Sequence, residues 1–539
     1  MNGERKQKDN RLFGGAAKFG SKMYLLALFG LLVLSLLWLA PQKAFTLAAA
    51  GNGPGGVGVT DGSSTLELWL RADWGVFSDG TCSILANDGD GVGCWQDQSG
   101  NTAHAKQQAV VDVPTYDDNT NPINGQPVLN FAVNAGVGQV LVSDPTKPIN
   151  LGAFTVFAVF NATNGGIVYE HNDRNGTLVP GSNLFTSDDC STTVNRGGNE
   201  TTKSLASTWA TDGLSRVVTQ GYNGDHASHT ISVNNTASTF LVAPCNDDPI
   251  TPLPGTSVLS APVFIGDRSG GNVVPLRGNI AELIFFNENL PDVQKILVEN
   301  YLSSKYNIAF DAPIPNNDYY DGDTVGNGDF DLDVAGIGQL GGLQNDVAHS
   351  VGMTVQDNTF LNDNGDWLLF GHNAPANGNT TTYLPTETPW DSTDSAPKPA
   401  RWNRSWYIDV TDAITTTGGT VNITFDFIEG GMGSFAPTNT TLTNYRLLKR
   451  DIIGNNYTDL GGATSVDVIN KRVTFTGVSV TDLGSDFTLG TLDNDISPTA
   501  VSLQPIVATP QTNGLLIFAA CVLALGFGSL WACLRHRPE

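Results

Sequence analysis

Apolar residues recur along this chain with two periods, and the shorter one dominates. In GTVNITFDF (419–427), Val421, Ile423, Phe425 and Phe427 alternate with Thr420, Asn422, Thr424 and Asp426. One face is apolar and the other wet, the signature of a strand in an antiparallel sandwich. LELWLRADWGV (66–76) begins the same way, with Leu66, Leu68 and Leu70 on one side. Further strands are expected in PVLNFAV (127–133), FTVFAVF (154–160), GIVYEH (166–171), SRVVTQGY (215–222), HTISVNN (229–235) and PVFIGD (262–267). A second series comprises GDWLLFGH (365–372), RWNRSWYIDV (401–410), NYRLLKRD (444–451), KRVTFTGVSV (471–480) and DFTLGTL (486–492). Turn-forming Gly, Asn, Asp and Thr separate them, which predicts sandwiches rather than helical layers.

The longer period enters once, in GNIAELIFFNENLPDVQKILVENYLSSKYNI (278–308). Its first third reads as a strand, with Ile280, Glu282, Ile284 and Phe286 on one face and Ala281, Leu283 and Phe285 on the other. Two apolar faces imply a nearly buried strand with a cover on its outer side. Pro291 suits a first helical turn, and Asp292 suits the positive end of a helix. Val293, Ile296, Leu297, Tyr301 and Leu302 then form a helical stripe, so the helix is expected to fold back as a lid on the sandwich it follows.

Both ends are hydrophobic. Met23 to Ala40 is an uncharged apolar run behind Arg5, Lys6, Lys8, Arg11, Lys18 and Lys22, and small residues follow at Ala48–Ala50. This predicts a secretory signal, or an uncleaved anchor, over residues 1–50. Gly514 to Leu534 is long enough to span a bilayer, and Arg535, His536 and Arg537 behind it place a short tail, 535–539, on the inner side. Thr509-Pro-Gln-Thr-Asn513 is similar to a sortase signal with its first residue changed, so a sorting signal stands beside a plain anchor for this end.

Charge follows the same division. Of the total −25, residues 1–50 carry +5 and 513–539 carry +1, which leaves −31 on 51–512. Such a surface repels nucleic acid and anionic lipid and suits neutral or cationic partners. Cys82, Cys94, Cys190 and Cys245 are the cysteines of the outer region. Their even number in an exported chain predicts disulfides. Three connectivities are open, and the short loop favours Cys82–Cys94, then Cys190–Cys245. The chain has no CxxC motif that would indicate zinc or redox chemistry.

LELWLRADWGV, WQDQSGNTAHAKQ (95–107), FTVFAVF, PVFIGDRSGG and the 278–308 segment occur in order. Together they resemble the concanavalin A-like, laminin-G-type jelly roll of bacterial surface proteins. That family opens on Trp-Leu-x-Ala-Asp, continues with Trp-x-Asp-x-Ser-Gly-Asn, and closes with Gly-x-Ile-Ala-Glu and a helix ending Tyr-Leu-x-x-Lys-Tyr. The resemblance covers about residues 59–310; the cysteine-bearing stretches 79–94 and 186–245 depart from the family core. Further on, DVAGIG (333–338), LLFGH and RxxRSW resemble a β-domain of unknown function that follows lectin-like modules in bacterial surface proteins. The expected organisation is therefore all-β: a jelly roll over 51–310 with one C-terminal amphipathic helix, an acidic linker over 311–328, and a second, smaller antiparallel β-sandwich over 329–495. A linker over 496–513 leads to the span at 514–534, so hydrophobic terminal helices flank the whole.

Several residues are candidates for chemistry. Laminin-G-like modules often hold calcium at a loop rim, and the resemblance makes Asp88, Asp90 and Asp97 candidate ligands; Asp97 alternatively caps a turn. Asp318, Asp321, Asp323, Asp329, Asp331 and Asp333 crowd one passage. Calcium would relieve their repulsion, with Asp321, Asp323 and Asp329 as its first candidates, although the EF-hand pattern fails and a solvated connector is the alternative. Sugar binding would use flat aromatic faces, for which Trp74, Trp95 and Trp209 are the candidates, with Trp390 and Trp402 further along; Trp69 and Trp367 read as core. The chain lacks the Glu-x-Asp-x-x-Glu strand of jelly-roll glucanases. Glu67 and Glu282 each stand alone, and Glu170-His171-Asn172-Asp173 has the wrong spacing. His226 and His229 would lie on opposite faces of a strand and suit no zinc ion. The expected role is a membrane-anchored cell-surface binding or adhesion protein for a glycan or an envelope partner, without catalysis. A ligand-free structural envelope component is the first alternative and a polysaccharide hydrolase the second.

Overall fold

The computed structural model describes residues 51–491, apart from 108–111, 134–137, 173–180, 187–191, 197–198, 204–210, 225–228, 238–258, 269–273, 311–316, 375, 381–399, 415–417, 434–436, 438–439 and 452–455. The terminal apolar runs, Cys190, Cys245, His226, Trp209 and Trp390 lie outside the described residues. Among the described residues, no helix is long and apolar enough to cross a membrane.

The alternating segments form antiparallel strands, as expected. Phe154–Ala162 and Gly278–Phe286 run side by side at the centre of an eight-stranded sheet, with Arg216–Tyr222 beyond Phe154–Ala162. On its other edge Gly278–Phe286 pairs with Val128–Phe131 through its first half and with Leu66–Arg71 through its second. The facing sheet has nine strands, among them Ile167–Asn172, Val263–Ile265, Leu141–Ser143 and Ala105–Gln107. Between them lies the first core, including Leu68, Leu70, Trp95, Phe160, Tyr169, Ile265, Leu283 and Phe285. The second sandwich packs a nine-stranded sheet against a five-stranded one around Ile337, Phe370, Trp402, Trp406, Ile423, Phe425 and Phe475. These counts refer to described residues.

The 278–286 strand does not keep the simple alternation expected of it. Its register slips between Ile280 and Glu282. Ile280 therefore joins Leu283 and Phe285 in the first core, while Ala281, Ile284 and Phe286 face outward onto a third apolar cluster. A bulge of this kind re-aims side chains, and here it turns Glu282 outward as well, beneath the helix. RWNRSWYIDV likewise forms two strands, Ala400–Trp402 and Trp406–Thr411. Arg404 breaks the run by turning its guanidinium onto the carbonyls of Ala374 and Val351, at 2.9 and 3.0 Å.

The helix α1 (Asp292–Tyr306) follows, closed by Asn307 in the left-handed conformation. It covers its own sheet, and its whole expected stripe is buried. Yet Val298, Asn300, Ser303, Ser304 and Lys305 are buried too, because the second sandwich packs on the helix from the opposite side. The third cluster joins Phe157, Val217 and Phe286 of the first sandwich, Leu297, Val298 and Leu302 of α1, and Val334, Trp367 and Leu369 of the second. The order of layers is thus sheet, sheet, helix, sheet, sheet. Leu332–Leu340 runs along the helix, and Gly336 makes the seat close: a Cβ there would meet Leu297 Cδ2 and Leu369 Cγ at 2.8 Å. The start of the described chain joins the same assembly, since Gly51 and Gly55 bridge to Ala348 and Ala335.

Candidate ligand cleft and the charged joint behind it

A cleft of about 440 Å³ opens beside the first strand, lined among others by Asp73, Trp74, Phe77, Leu85, Gln96 and Tyr116. The chain turns sharply at its mouth. Trp74 N–H donates to Arg71 O at 3.3 Å, and Gly75 takes φ +74°, a left-handed conformation that side chains disfavour. A Cβ at Gly75 would also meet Gln96 and Gln98 within 3 Å. The turn throws Trp74 outward, 64% exposed. Tyr116, half-buried on the short strand Thr115–Asp117, supplies a second ring. Burial, then the charges of Asp118, Asp73 and Asp88, push its hydroxyl up to about 12, so it stays protonated as a donor.

The rim is held firmly. The expected disulfide Cys82–Cys94 is present and ties the 79–94 loop to the buried strand Cys94–Trp95. Asp79 organises the loop's tip by accepting from the backbone N–H groups of Thr81, Ser83 and Ile84. Leu85 bridges to Phe77, and Ala86 N–H donates to Val76 O at 3.0 Å. Leu85 nevertheless remains 66% exposed at the cleft edge.

Behind the cleft lies a buried charged network. Glu282, fully buried, accepts from Trp69 Nε1 (2.6 Å), Tyr301 Oη (2.9 Å), Tyr306 Oη (2.8 Å) and Lys305 Nζ (2.8 Å). Lys305 also donates to Asp73 at 2.9 Å, and Arg71 grips the same carboxylate through Nε at 2.9 Å. Burial acts to raise Asp73, but the charges of Arg71 and Lys305 outweigh it and hold its carboxyl well below the usual range. The network then crosses into the second sandwich. Arg71 Nη1 reaches Asp333 at 3.4 Å, and Asp333 pairs with His372 Nε2 at 3.1 Å. Asp333 adopts φ 47°, and its strand is out of register between Leu332 and Ala335. The resulting bend aims the carboxylate at the joint. Trp-Leu-x-Ala-Asp, Gly-x-Ile-Ala-Glu, Tyr-Leu-x-x-Lys-Tyr, DVAGIG and LLFGH thus all contribute side chains to one structure. Glu282, which stands alone in the sequence, is its hub.

The other candidates fall elsewhere. Trp95 is fully buried in the first core and donates to Arg71 O at 2.9 Å. It offers no free face, so it is not a sugar platform; Trp402 is core as well. Asp97 caps the 97–103 loop, accepting from the N–H groups of Trp69, Ser99 and Ala103 at 2.9–3.0 Å. Asp90 accepts from Asn87, and Asp88 from Asp118 N–H. These separate partnerships do not gather Asp88, Asp90 and Asp97 into a calcium set. Among the described residues, no three His, Cys, Asp or Glu side chains are arranged to hold a metal, and this includes Asp321, Asp323 and Asp329. Asp329 and Asp333 both have left-handed backbones rather than sharing a strand face. Burial first, and neighbouring carboxylates second, raise Asp331 to about 6, and burial with Asp318 and Asp321 does the same for Asp323. The acidic passage is no free connector, because Tyr320 and Phe330 within it are buried.

No protein-family model and no curated protein matches the chain. Solved structures show only partial likenesses to the chain. An arabinofuranosidase complexed with arabinofuranosyl-α-1,2-xylobiose is 12% identical over 40% of this chain and 51% of its own, at a TM-score of 0.29. The CBM40 of the Ruminococcus gnavus IT-sialidase, bound to α2,6 sialyllactose, is 16% identical over 28% and 84%, at 0.20. A Trypanosoma rangeli sialidase in complex with 2,3-difluorosialic acid is 14% identical over 46% and 33%, at 0.24. The chain spans about half the length of the arabinofuranosidase and a third of the T. rangeli sialidase. These likenesses are too partial to bear on what the cleft binds.

Proposed function

We propose that the protein is a non-catalytic, membrane-anchored binding protein of the bacterial cell surface, with a lectin-like jelly roll that takes a glycan in the Trp74 cleft. The observation that carries this reading is the exposed Trp74 ring, which lines the cleft together with Tyr116. An indole held in water by a turn that only glycine readily makes is poorly explained by packing. Flat aromatic faces are the surfaces on which sugar C–H groups stack, and Gln96 with the Tyr116 hydroxyl would serve sugar hydroxyls. The volume lies within the usual range for small-ligand sites and suits one or two sugar rings. The stapled rim favours binding because little order has to be imposed when a ligand arrives.

A glycan array probed with the purified full chain and with Trp74→Ala tests the reading. Binding by the parent and its loss in the variant, at unchanged thermal stability, are expected. No binding by the parent, with or without calcium, favours a structural envelope role. Release of reducing sugar from a β-glucan panel overturns the non-catalytic assignment.

A further inference from the structure

We infer that the cleft discriminates by charge, taking uncharged saccharides and rejecting those that carry carboxylates, such as sialic and uronic acids; this rests on the glycan reading above. Among the described residues, the lining of the cleft contains Asp73 and no lysine, arginine or histidine. The two bases that contact Asp73 are committed to carboxylates. Arg71 directs Nε and Nη2 to Asp73 and Nη1 to Asp333. Lys305 directs its ammonium to Asp73 and Glu282 and is 3% exposed. Turning Arg71 toward a ligand would give up its bonds to both Asp73 and Asp333, and turning Lys305 would leave the buried Glu282 without a cation, which is unfavourable.

The field around Tyr116 has the same sign. Asp73, Asp88 and Asp118 all act on the Tyr116 hydroxyl. The excess of carboxylates over bases along 51–512 adds a long-range repulsion. A carboxylated sugar entering here would lose water without gaining a cation, and like charges brought together across an interface repel. An uncharged ring loses nothing of this kind and keeps the Trp74 stacking surface.

The test uses the full chain against matched glycans: lactose with sialyllactose, galactan with polygalacturonate, and a wider array of neutral and acidic members. Hits are expected only among uncharged glycans, with each acidic counterpart weaker by about tenfold or more. Leu85→Lys places a cation at an exposed point of the rim. It should raise affinity for acidic members about three- to fivefold at low salt, an effect that fades as salt is added. Acidic glycans bound as tightly as their neutral counterparts overturn the charge rule and leave the glycan reading standing. An array with no hit for either protein removes the glycan reading and this inference with it.

Discussion

Lys305 Nζ lies 2.8 Å from Glu282 Oε2, with the lysine 3% exposed and the glutamate not at all. A buried pair of this kind is worth little compared with a well-packed apolar pair, yet removing one partner strands the other. Lys305→Met should therefore destabilise the protein by about 3–5 kcal/mol, measured by urea unfolding. Glu282→Gln combined with Lys305→Met should recover part of that loss, because no buried charge is then left without its counterpart at this position. A double-variant loss equal to the sum of the Glu282→Gln and Lys305→Met losses would show that the two charges act independently.

Glu299 lies in the same helix, where Lys295 acts on it too weakly to offset its burial. It accepts from Thr219 Oγ1 at 2.6 Å and Ser232 Oγ at 3.3 Å, and burial raises its carboxyl from 4.5 to about 7. Between these values the folded protein holds a proton that the unfolded chain has released. Stability is thus full below about pH 4.5, falls as pH rises toward 7, and is flat above it. The total loss is about 3 kcal/mol, from about 1.4 kcal/mol per unit. Glu299→Gln should flatten this part of the profile and make the protein more stable than the parent at pH 8. An unchanged pH dependence of the urea midpoint would refute the assignment.

Gly336 sets the distance between α1 and the second sandwich. Gly336→Val should push Leu297 and Leu369 aside, at about 1–3 kcal/mol. The visible sign would be faster proteolysis between the two sandwiches, with each giving a discrete fragment. A control at Gly378, where a Cβ would meet nothing within 4 Å and the backbone is not left-handed, should leave the digestion pattern unchanged if Ala is introduced.

Reduction of Cys82–Cys94 frees the outer edge of the cleft. The loop is short, so the global loss should be about 2–3 kcal/mol. Hydrogen exchange in 79–86 should speed up more than exchange in Phe154–Ala162. Ligand affinity should fall in parallel, since the loop would then have to be ordered on binding.

Much of this fold can be read from alternation alone. The central strands and α1 appear in the sequence because their apolar positions recur without interruption. Short strands such as Thr115–Asp117 and Ile149–Leu151 do not, since three residues hold too little pattern. The charged joint is half legible. Its motifs mark Asp73, Glu282, Lys305 and Asp333, but their meeting depends on two bulges and on a second sandwich that no local period reveals. An acidic residue set in AELIFF and a lysine between two tyrosines were the available signals. The cleft shows only through Trp74-Gly75: Phe77, Leu85, Gln96 and Tyr116 come together through chain reversals. Trp95 and Trp74 look alike in sequence, and only the turn at Gly75 separates a core indole from an exposed one.

The backbone of Gly336 donates to Gly55 O and that of His349 to Gly51 O, each at 3.1 Å. The first described residues therefore find their partners nearly 300 positions later. On the ribosome, the first sandwich emerges with α1 uncovered on one side, with Leu297, Val298 and Leu302 in water until the strands through His372 are made. Chain segments that must wait in this way are exposed to aggregation. During synthesis, the nascent protein should depend on holding factors until its second half has arrived.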